Sequence, residues 1–201
     1  MTSNGPETRI PCYFVAFFDA SVVRTSLKSL LRSGSRLAVH VVENRSPATE
    51  TEIRPFVERL VREGAVESYS VFDENISNNA LLAVLEEGVG TDHRTDHVIL
   101  TDGDLVPEPG WLDEEIEVLR SHRDVFACAV DLDPVNLPTE TFPEAAGWVP
   151  PPIACRPDYV EGLTGVHLLL LRSRDLQAYL VHRRVAGEPL VDSDMHRYCY
   201  E

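Results

Sequence analysis
The sequence predicts an α/β fold in which a mostly parallel central sheet is covered by helices on both faces. Nearly continuous apolar runs, such as residues 12–18 and 98–101, suit strands buried from both sides. Between such runs lie longer segments whose apolar residues recur at three- and four-residue spacing, as on one face of a helix. Strands alternating with helices in this way argue a doubly covered, mostly parallel sheet. At 201 residues and 43 % hydrophobic content the chain can bury one sizeable core, so a single domain over 1–201 is expected.

The first strand is expected over 12–18, where Tyr13, Phe14, Val15 and Phe17 favour extended backbone and the run ends at Asp19. A helix over 22–32 follows from the stripe Val23, Leu27, Leu30 and Leu31, stopped by Gly34. Residues 36–42 read as the second strand, which empties into polar Glu43, Asn44, Arg45 and Ser46. Helical spacing returns over 49–63, with Ile53, Phe56, Val57, Leu60 and Val61 on one face and Gly64 just past the end. The alternation over 66–72 suits a short third strand near the sheet edge. The next helix opens after Asp73 with Ser77 or Asn78 as its cap and runs through Leu81, Leu82, Val84 and Leu85 to Gly88.

Residues 98–101 form the fourth strand, and Pro107, Pro109 and Gly110 end its ladder and prepare a helix over 111–120 that turns Leu112, Ile116 and Leu119 to the core. A fifth strand is expected over 125–130. From 131 to 159 the prolines Pro134, Pro138, Pro143, Pro150, Pro151 and Pro152 surround Trp148 and argue a long flap without regular structure. A strand over 159–171 and a helix over 175–182 come next, with a further helical start from Val191.

The formal charge of −15 argues against a nucleic-acid or anionic-membrane surface, which would want a basic patch. Cys12, Cys128, Cys155 and Cys199 are scattered, without zinc-site spacing, and read as idle thiols. The N-terminal residues carry no apolar signal core, and the long apolar runs, 12–18 and 166–171, fall far short of a bilayer span. A cytoplasmic protein without a transmembrane segment is therefore expected.

At the end of the fourth strand stand Asp102 and Asp104, separated only by Gly103. Aspartate and glycine are common turn formers, so the tripeptide alone has an ordinary reading as a loop. Its place matters more, because ligands of open α/β sheets bind at the carboxyl ends of the strands. Two carboxylates there can turn toward one hard cation, and magnesium at such sites takes one or two carboxylates plus substrate phosphates. Asp19, Glu43 with Asn44, and Asp73 with Asn75 end the preceding strands on the same expected edge.

In this order the residues resemble the family-2 glycosyltransferases, which have the GT-A fold. The resemblance runs along nearly the whole chain: the strand to Asp19, the Val41-Val42-Glu43-Asn44-Arg45-Ser46 turn, Asn75 with Asn79, Asp102-Gly103-Asp104 with Pro109-Gly110-Trp111-Leu112 behind it, and Asp192-Ser193-Asp194. It implies a nucleoside-diphosphate sugar as donor, an acceptor left open, and Mn2+ or Mg2+ as cofactor. Asp19, Glu43 and Asn79 would meet the nucleobase and ribose, Asp102 the ribose or metal, and Asp104 the metal that bridges the diphosphate. Asp192 matches the general base of inverting members, although Val191 stands where they usually carry glutamate. His196 matches a late histidine that joins the metal in some GT-A enzymes. Residues 1–130 would then be the nucleotide-binding half and 131–201 the acceptor side.

Trp148, in the flap, would stack on a sugar ring of the acceptor or pin the loop to the body. His167 is read first as a strand-face histidine. Two rivals are weighed. Residues 98–106 also resemble the first motif of haloacid-dehalogenase-like phosphatases, with Asp102 as nucleophile. Such enzymes need a downstream lysine to balance the phosphoryl charge, whereas the single lysine, Lys28, lies upstream. The third reading is a nucleotide-sugar-binding module without turnover.

Overall fold
The computed structural model describes residues 9–17, 19–33, 36–76, 80–81, 85, 95–137, 140, 143, 147, 151–186, 195 and 198–199. Eight strands are defined among them: β1 (Ile10–Ala16), β2 (Leu37–Glu43), β3 (Ser68–Val71), β4 (His97–Thr101), β5 (Ala127–Cys128), β6 (Ala154–Cys155), β7 (Val160–Glu161) and β8 (Leu169–Arg172). Six of them make one sheet in the order β3-β2-β1-β4-β8-β5, while β6 and β7 pair as a separate antiparallel hairpin. β1 pairs in parallel with both β2 and β4, and β2 with β3. β8 runs antiparallel to β4 and β5. The expected mixed α/β architecture with a mostly parallel central sheet is thus present.

Growth of the sheet reverses at β1. The chain adds β2 and β3 on one side of it and then returns to lay β4 on the other. The seam between β1 and β4 is therefore a topological switch point, and the carboxyl edge of such a point is where open α/β sheets bind ligands.

Side chains alternate across the sheet and fill two cores. On one face Cys12, Phe14, Val39, Val41, Ile99 and Leu170 pack under the helices α1 (Ala20–Arg32), α2 (Arg54–Arg62) and α3 (Trp111–Ser121), through residues such as Val23, Leu27, Val57 and Leu119. On the other, Tyr13, Val42, Val98, Leu100, Leu169 and Leu171 meet Ala80, Leu81 and Leu85, together with Leu176, Tyr179 and Leu180 of α4 (Ser173–Ala186). Complete burial of each such aliphatic side chain contributes about 1.5–3 kcal/mol. Two-sided burial explains why these strands read as continuous apolar runs.

Several boundaries differ from expectation. The helix expected over 49–63 enters through a π-helical turn, Thr49–Ile53, before α2 begins. Pro55 stands at that junction and has no N–H to give the carbonyl one turn back. The strand expected over 159–171 is instead two, β7 and β8. Gly162 and Gly165 interrupt it, and Leu168 takes a left-handed φ of 55° just before β8. The fifth strand shrinks to Ala127–Cys128. The proline-rich flap is more regular than expected where it is described: Asp133 caps a 3-10 turn, Pro134–Asn136, and β6 pairs with β7. The cap expected at Ser77 or Asn78 lies outside the described residues.

Arg172 closes the lower end of α3. Its guanidinium donates to the carbonyls of Val125 at 2.7 Å, His122 at 2.9 Å and Leu119, and pairs with Asp175 at 3.2 Å. Carbonyls that the helix cannot satisfy itself are thereby bonded. Among the described residues no helix is long and apolar enough to cross a membrane. Burial pushes the Cys12 thiol up, with Glu115 adding to the effect, and lifts Cys128 to about 12, which suits the idle role read for both.

Glu115 shares the buried stripe of Leu112 and Leu119 on α3 and is only 4 % exposed. Neither of its carboxyl oxygens has a hydrogen-bond partner among the described residues. Desolvation raises its pKa from 4.5 to about 9. The folded state then keeps a proton that the unfolded chain gives up above 4.5. Stability therefore falls between these two values as pH rises, by up to about 1.4 kcal/mol per pH unit. Glu115→Met, similar in volume and unable to ionise, should gain in melting temperature over the native chain progressively from pH 5 to pH 8. Parallel melting curves across that range would show that Glu115 is ionised in the fold.

Candidate functional site
The carboxyl edge of the β1–β4 seam is assembled from four segments. Residues 17 and 19–25 lead from β1 into α1, and 101–106 leave β4. Residues 43–54 follow β2, tied to β1 by Asn44 N–H donating to the Ala16 carbonyl at 3.0 Å. Residues 162–168 lead into β8, and the Val166 carbonyl accepts the Asp102 N–H at 3.1 Å.

Gly103 sets the shape of this edge. A Cβ at that position would lie 2.3 Å from the Val15 carbonyl oxygen of β1 and 3.3 Å from two ring carbons of Phe14. No side chain fits there, so the glycine lets the loop after β4 press against β1. Asp102 and Asp104, on either side of that contact, are both exposed. The loop is tied down again two residues on, where the Ser26 hydroxyl of α1 donates to the Leu105 carbonyl.

Asp104 borders a shallow, open groove of about 230 Å³ whose other walls are Ser21, Val22, Thr25 and Val106. Val22 and Val106 are exposed, so apolar surface lies beside the acidic position in the groove. Among the described residues no three His, Cys, Asp or Glu side chains gather into a ready-made metal cage. Two exposed carboxylates flanking one glycine nevertheless suit a hard divalent ion that takes its remaining oxygens from water and substrate phosphates.

Asp19 has a definite structural task. Its Oδ1 accepts from the Ser21 N–H at 2.8 Å, the Ser21 hydroxyl at 2.8 Å and the Val22 N–H at 3.1 Å, capping α1. The Val22 amide, with the Ser21 hydroxyl and amide, holds this carboxyl below its ordinary range. The N-terminal amides of α1, a natural seat for phosphate, are thus taken up by a carboxylate.

Glu43 ends β2 and is 0 % exposed. Arg54 donates to it twice, Nη2 to Oε1 at 2.6 Å and Nε to Oε2 at 3.3 Å, and the Tyr69 hydroxyl bonds Oε2 as well. The carboxylate expected to face a ligand is covered by its partners, and the part-exposed Arg54 guanidinium stands over it. Asn44, next in sequence, accepts the Ile76 N–H on its side-chain oxygen at 2.9 Å. Asn79, Trp148, Asp192, Asp194 and His196 lie outside the described residues.

Sequence reasoning did not single out Arg54, Tyr69 or Phe17 as site residues, and within 162–168 it named only His167 as a candidate. The Glu43–Arg54 pair joins the end of a strand to the start of the following helix, and no local spacing marks such a pair. Leu168 with its positive φ is rare for a branched apolar side chain and fixes the turn beside Asp102. The half-buried His167 belongs to that turn, its carbonyl accepting the Val130 N–H at 3.2 Å.

No protein-family model matches the chain. Over 96 % of its length it is 34 % identical to the uncharacterized protein L137 of Acanthamoeba polyphaga mimivirus, covering 27 % of that protein. Over 99 % of its length it is 32 % identical to L142 of the same virus, covering 41 %. The chain thus spans less than half the length of these curated relatives. Among solved structures it is similar to the mannosyltransferase PcManGT from Pyrobaculum calidifontis in complex with GDP-Man and Mn2+, at 18 % identity and a TM-score of 0.48, over 65 % of this chain and 37 % of that one.

Gly103→Ala tests the seam directly. The added methyl must push β1 and the loop after β4 apart, and overpacking of this kind costs about 1–3 kcal/mol. A clear drop in melting temperature is expected. A melting temperature equal to the native chain's would mean that the loop does not lie against β1.

Proposed function
We propose that the chain is a metal-dependent glycosyltransferase that moves a sugar from a nucleoside-diphosphate sugar to an acceptor hydroxyl, with inversion at the transferred carbon. The observation that carries this reading is the exposed Asp102–Asp104 pair, held at the β1–β4 switch point by a glycine with no room for a side chain. That is the position at which an open α/β sheet receives a nucleotide.

Charge supports a role for metal. A diphosphate approaching this edge meets Asp102, Asp104 and the Asp19 carboxylate at the start of α1, in a chain of formal charge −15. Without a cation these repel it. Asp104 and Asp102 are the residues that would hold Mn2+ or Mg2+, which supplies Lewis-acid neutralisation of the charge growing on the leaving diphosphate. Asp19 orders the first turn of α1 and borders the donor. Phe17 and Val22 offer apolar surface beside it. By the resemblance, Asp192 serves as base, Asn79 as a donor contact, His196 as a further metal ligand and Trp148 as an acceptor contact.

The phosphatase reading needs a lysine to balance the phosphoryl charge beside Asp102, and the single lysine of the chain is turned toward another helix. The ammonium of Lys28, on α1, stands 5.7 Å from the centroid of the Phe56 ring of α2.

Titration with a panel of nucleoside diphosphates, with Mn2+ and with chelator, tests the reading. Binding is expected only with the metal, and equal affinity in chelator would contradict a metal bridge. Asp104→Ala should weaken metal-dependent binding at least tenfold. Asp113→Ala, which removes only an exposed partner of Arg36 on α3, should leave binding unchanged. If the two variants behave alike, the acidic tripeptide is a turn and nothing more. Asp192→Asn should lower transfer by roughly 100-fold or more while donor binding survives. Unchanged transfer in that variant would move the base elsewhere, and binding with no turnover in the native chain would mark a binding module.

A further inference from the structure
Inversion of hydrogen-bond polarity at the end of β2 carries a consequence for donor choice. Glu43, at a place where a carboxylate would accept from the N–H groups of a ligand, is sealed at 0 % exposure. Both of its oxygens are bonded, to Arg54 at 2.6 and 3.3 Å and to the Tyr69 hydroxyl. What reaches the surface there is the Arg54 side chain, 33 % exposed.

The Nε–Nη2 edge of the guanidinium faces Glu43, and among the described residues the fork edge made by Nη1 and Nη2 makes no further hydrogen bond, although the carboxylates of Glu50 and Glu58 also act on this guanidinium. A guanidinium has no acceptor of its own and never loses its proton in proteins, so it reads acceptors and rejects donors. Its location fits a ligand role. Glu43 is in register with Ala16 of β1, three residues before Asp19. It shares the sheet face of Val41, which packs with α1 and α2, and the groove beside Asp104 is walled by α1. The neighbouring guanidiniums have other work, since Arg24 donates to the Glu52 carbonyl and Arg45 to that of Asp73.

We infer that Arg54, positioned by Glu43 and Tyr69, contacts the nucleobase of the donor and selects a base whose edge presents a carbonyl, guanine or uracil, over one that presents an amino group, adenine or cytosine. This rests on the proposed nucleotide-sugar site. Guanine offers O6 and N7 and uracil offers O4, whereas the amino groups of adenine and cytosine would point N–H at N–H.

The test is calorimetric titration of GDP, ADP, UDP and CDP in the presence of Mn2+. Within whichever ring size binds, the carbonyl base should bind about tenfold or more tightly than its amino counterpart. Because Arg54→Gln alone would strand a buried carboxylate and endanger the fold, the decisive variant is Glu43→Gln/Arg54→Gln, with folding followed by thermal melting. Glutamine both donates and accepts, so in this variant the ratio should fall toward one. Glu43→Gln alone keeps the guanidinium but loosens its anchor, so a ratio between those of the native chain and the double variant is expected. Uniform weakening of every diphosphate in the double variant would place Arg54 on a phosphate and overturn the inference. Equal metal-dependent binding of carbonyl and amino bases by the native chain would overturn it while leaving the proposed function standing. If none of the four binds with Mn2+, the proposed function falls and this inference falls with it.

Discussion
Gly103 comes so close to β1 that a methyl group in its place would lie 2.3 Å from the Val15 carbonyl oxygen, and much of the candidate site follows from that contact. The loop after β4 cannot stand away from the sheet, because the Ser26 hydroxyl anchors Leu105 and the Val166 carbonyl takes the Asp102 N–H. Held at three points, the loop presents its two aspartates at the seam where the order of the sheet reverses. The seam exists because β4 returns to the opposite side of β1 from β2, so local sequence, sheet order and site are linked through a single glycine.

The acidic residues along this edge divide their tasks by what surrounds them. Asp19 is exposed, yet its Oδ1 is bound to the first amides of α1. Glu43 is buried and neutralised by Arg54. Glu115, on the buried face of α3, has no hydrogen-bond partner among the described residues, and burial raises its pKa to about 9. Asp102 and Asp104 combine exposure with a position on the switch-point loop, on either side of the glycine that holds it to β1. Composition could show an excess of acid but not this division, since burial and partners decide what each carboxyl does.

Much of the architecture was legible in the chain. Two-sided burial left continuous apolar runs at β1, β2 and β4, and the helical stripes of α1, α2 and α3 located the covering layers. Legibility failed where structure depends on residues distant in sequence. β8 was read as part of one long strand because nothing local announces the left-handed Leu168 or the antiparallel pairing with β4. The acidic pair was visible as a motif, and the turn-forming habit of aspartate and glycine left its meaning open until sheet order placed it. Glu43 was read as a ligand contact because its position at a strand end was clear and the crossover partners that cover it were not.

A crystal structure of the chain grown with Mn2+ and a nucleoside diphosphate, with data collected at the manganese absorption edge, probes the switch-point site most directly. The expected result is an anomalous peak on the carboxylate of Asp104, with Asp102 beside it and the diphosphate oxygens completing the shell, outside the carboxyl ends of β1 and β4. A diphosphate bound with no metal near these two residues, or manganese seated elsewhere on the chain, would contradict that placement.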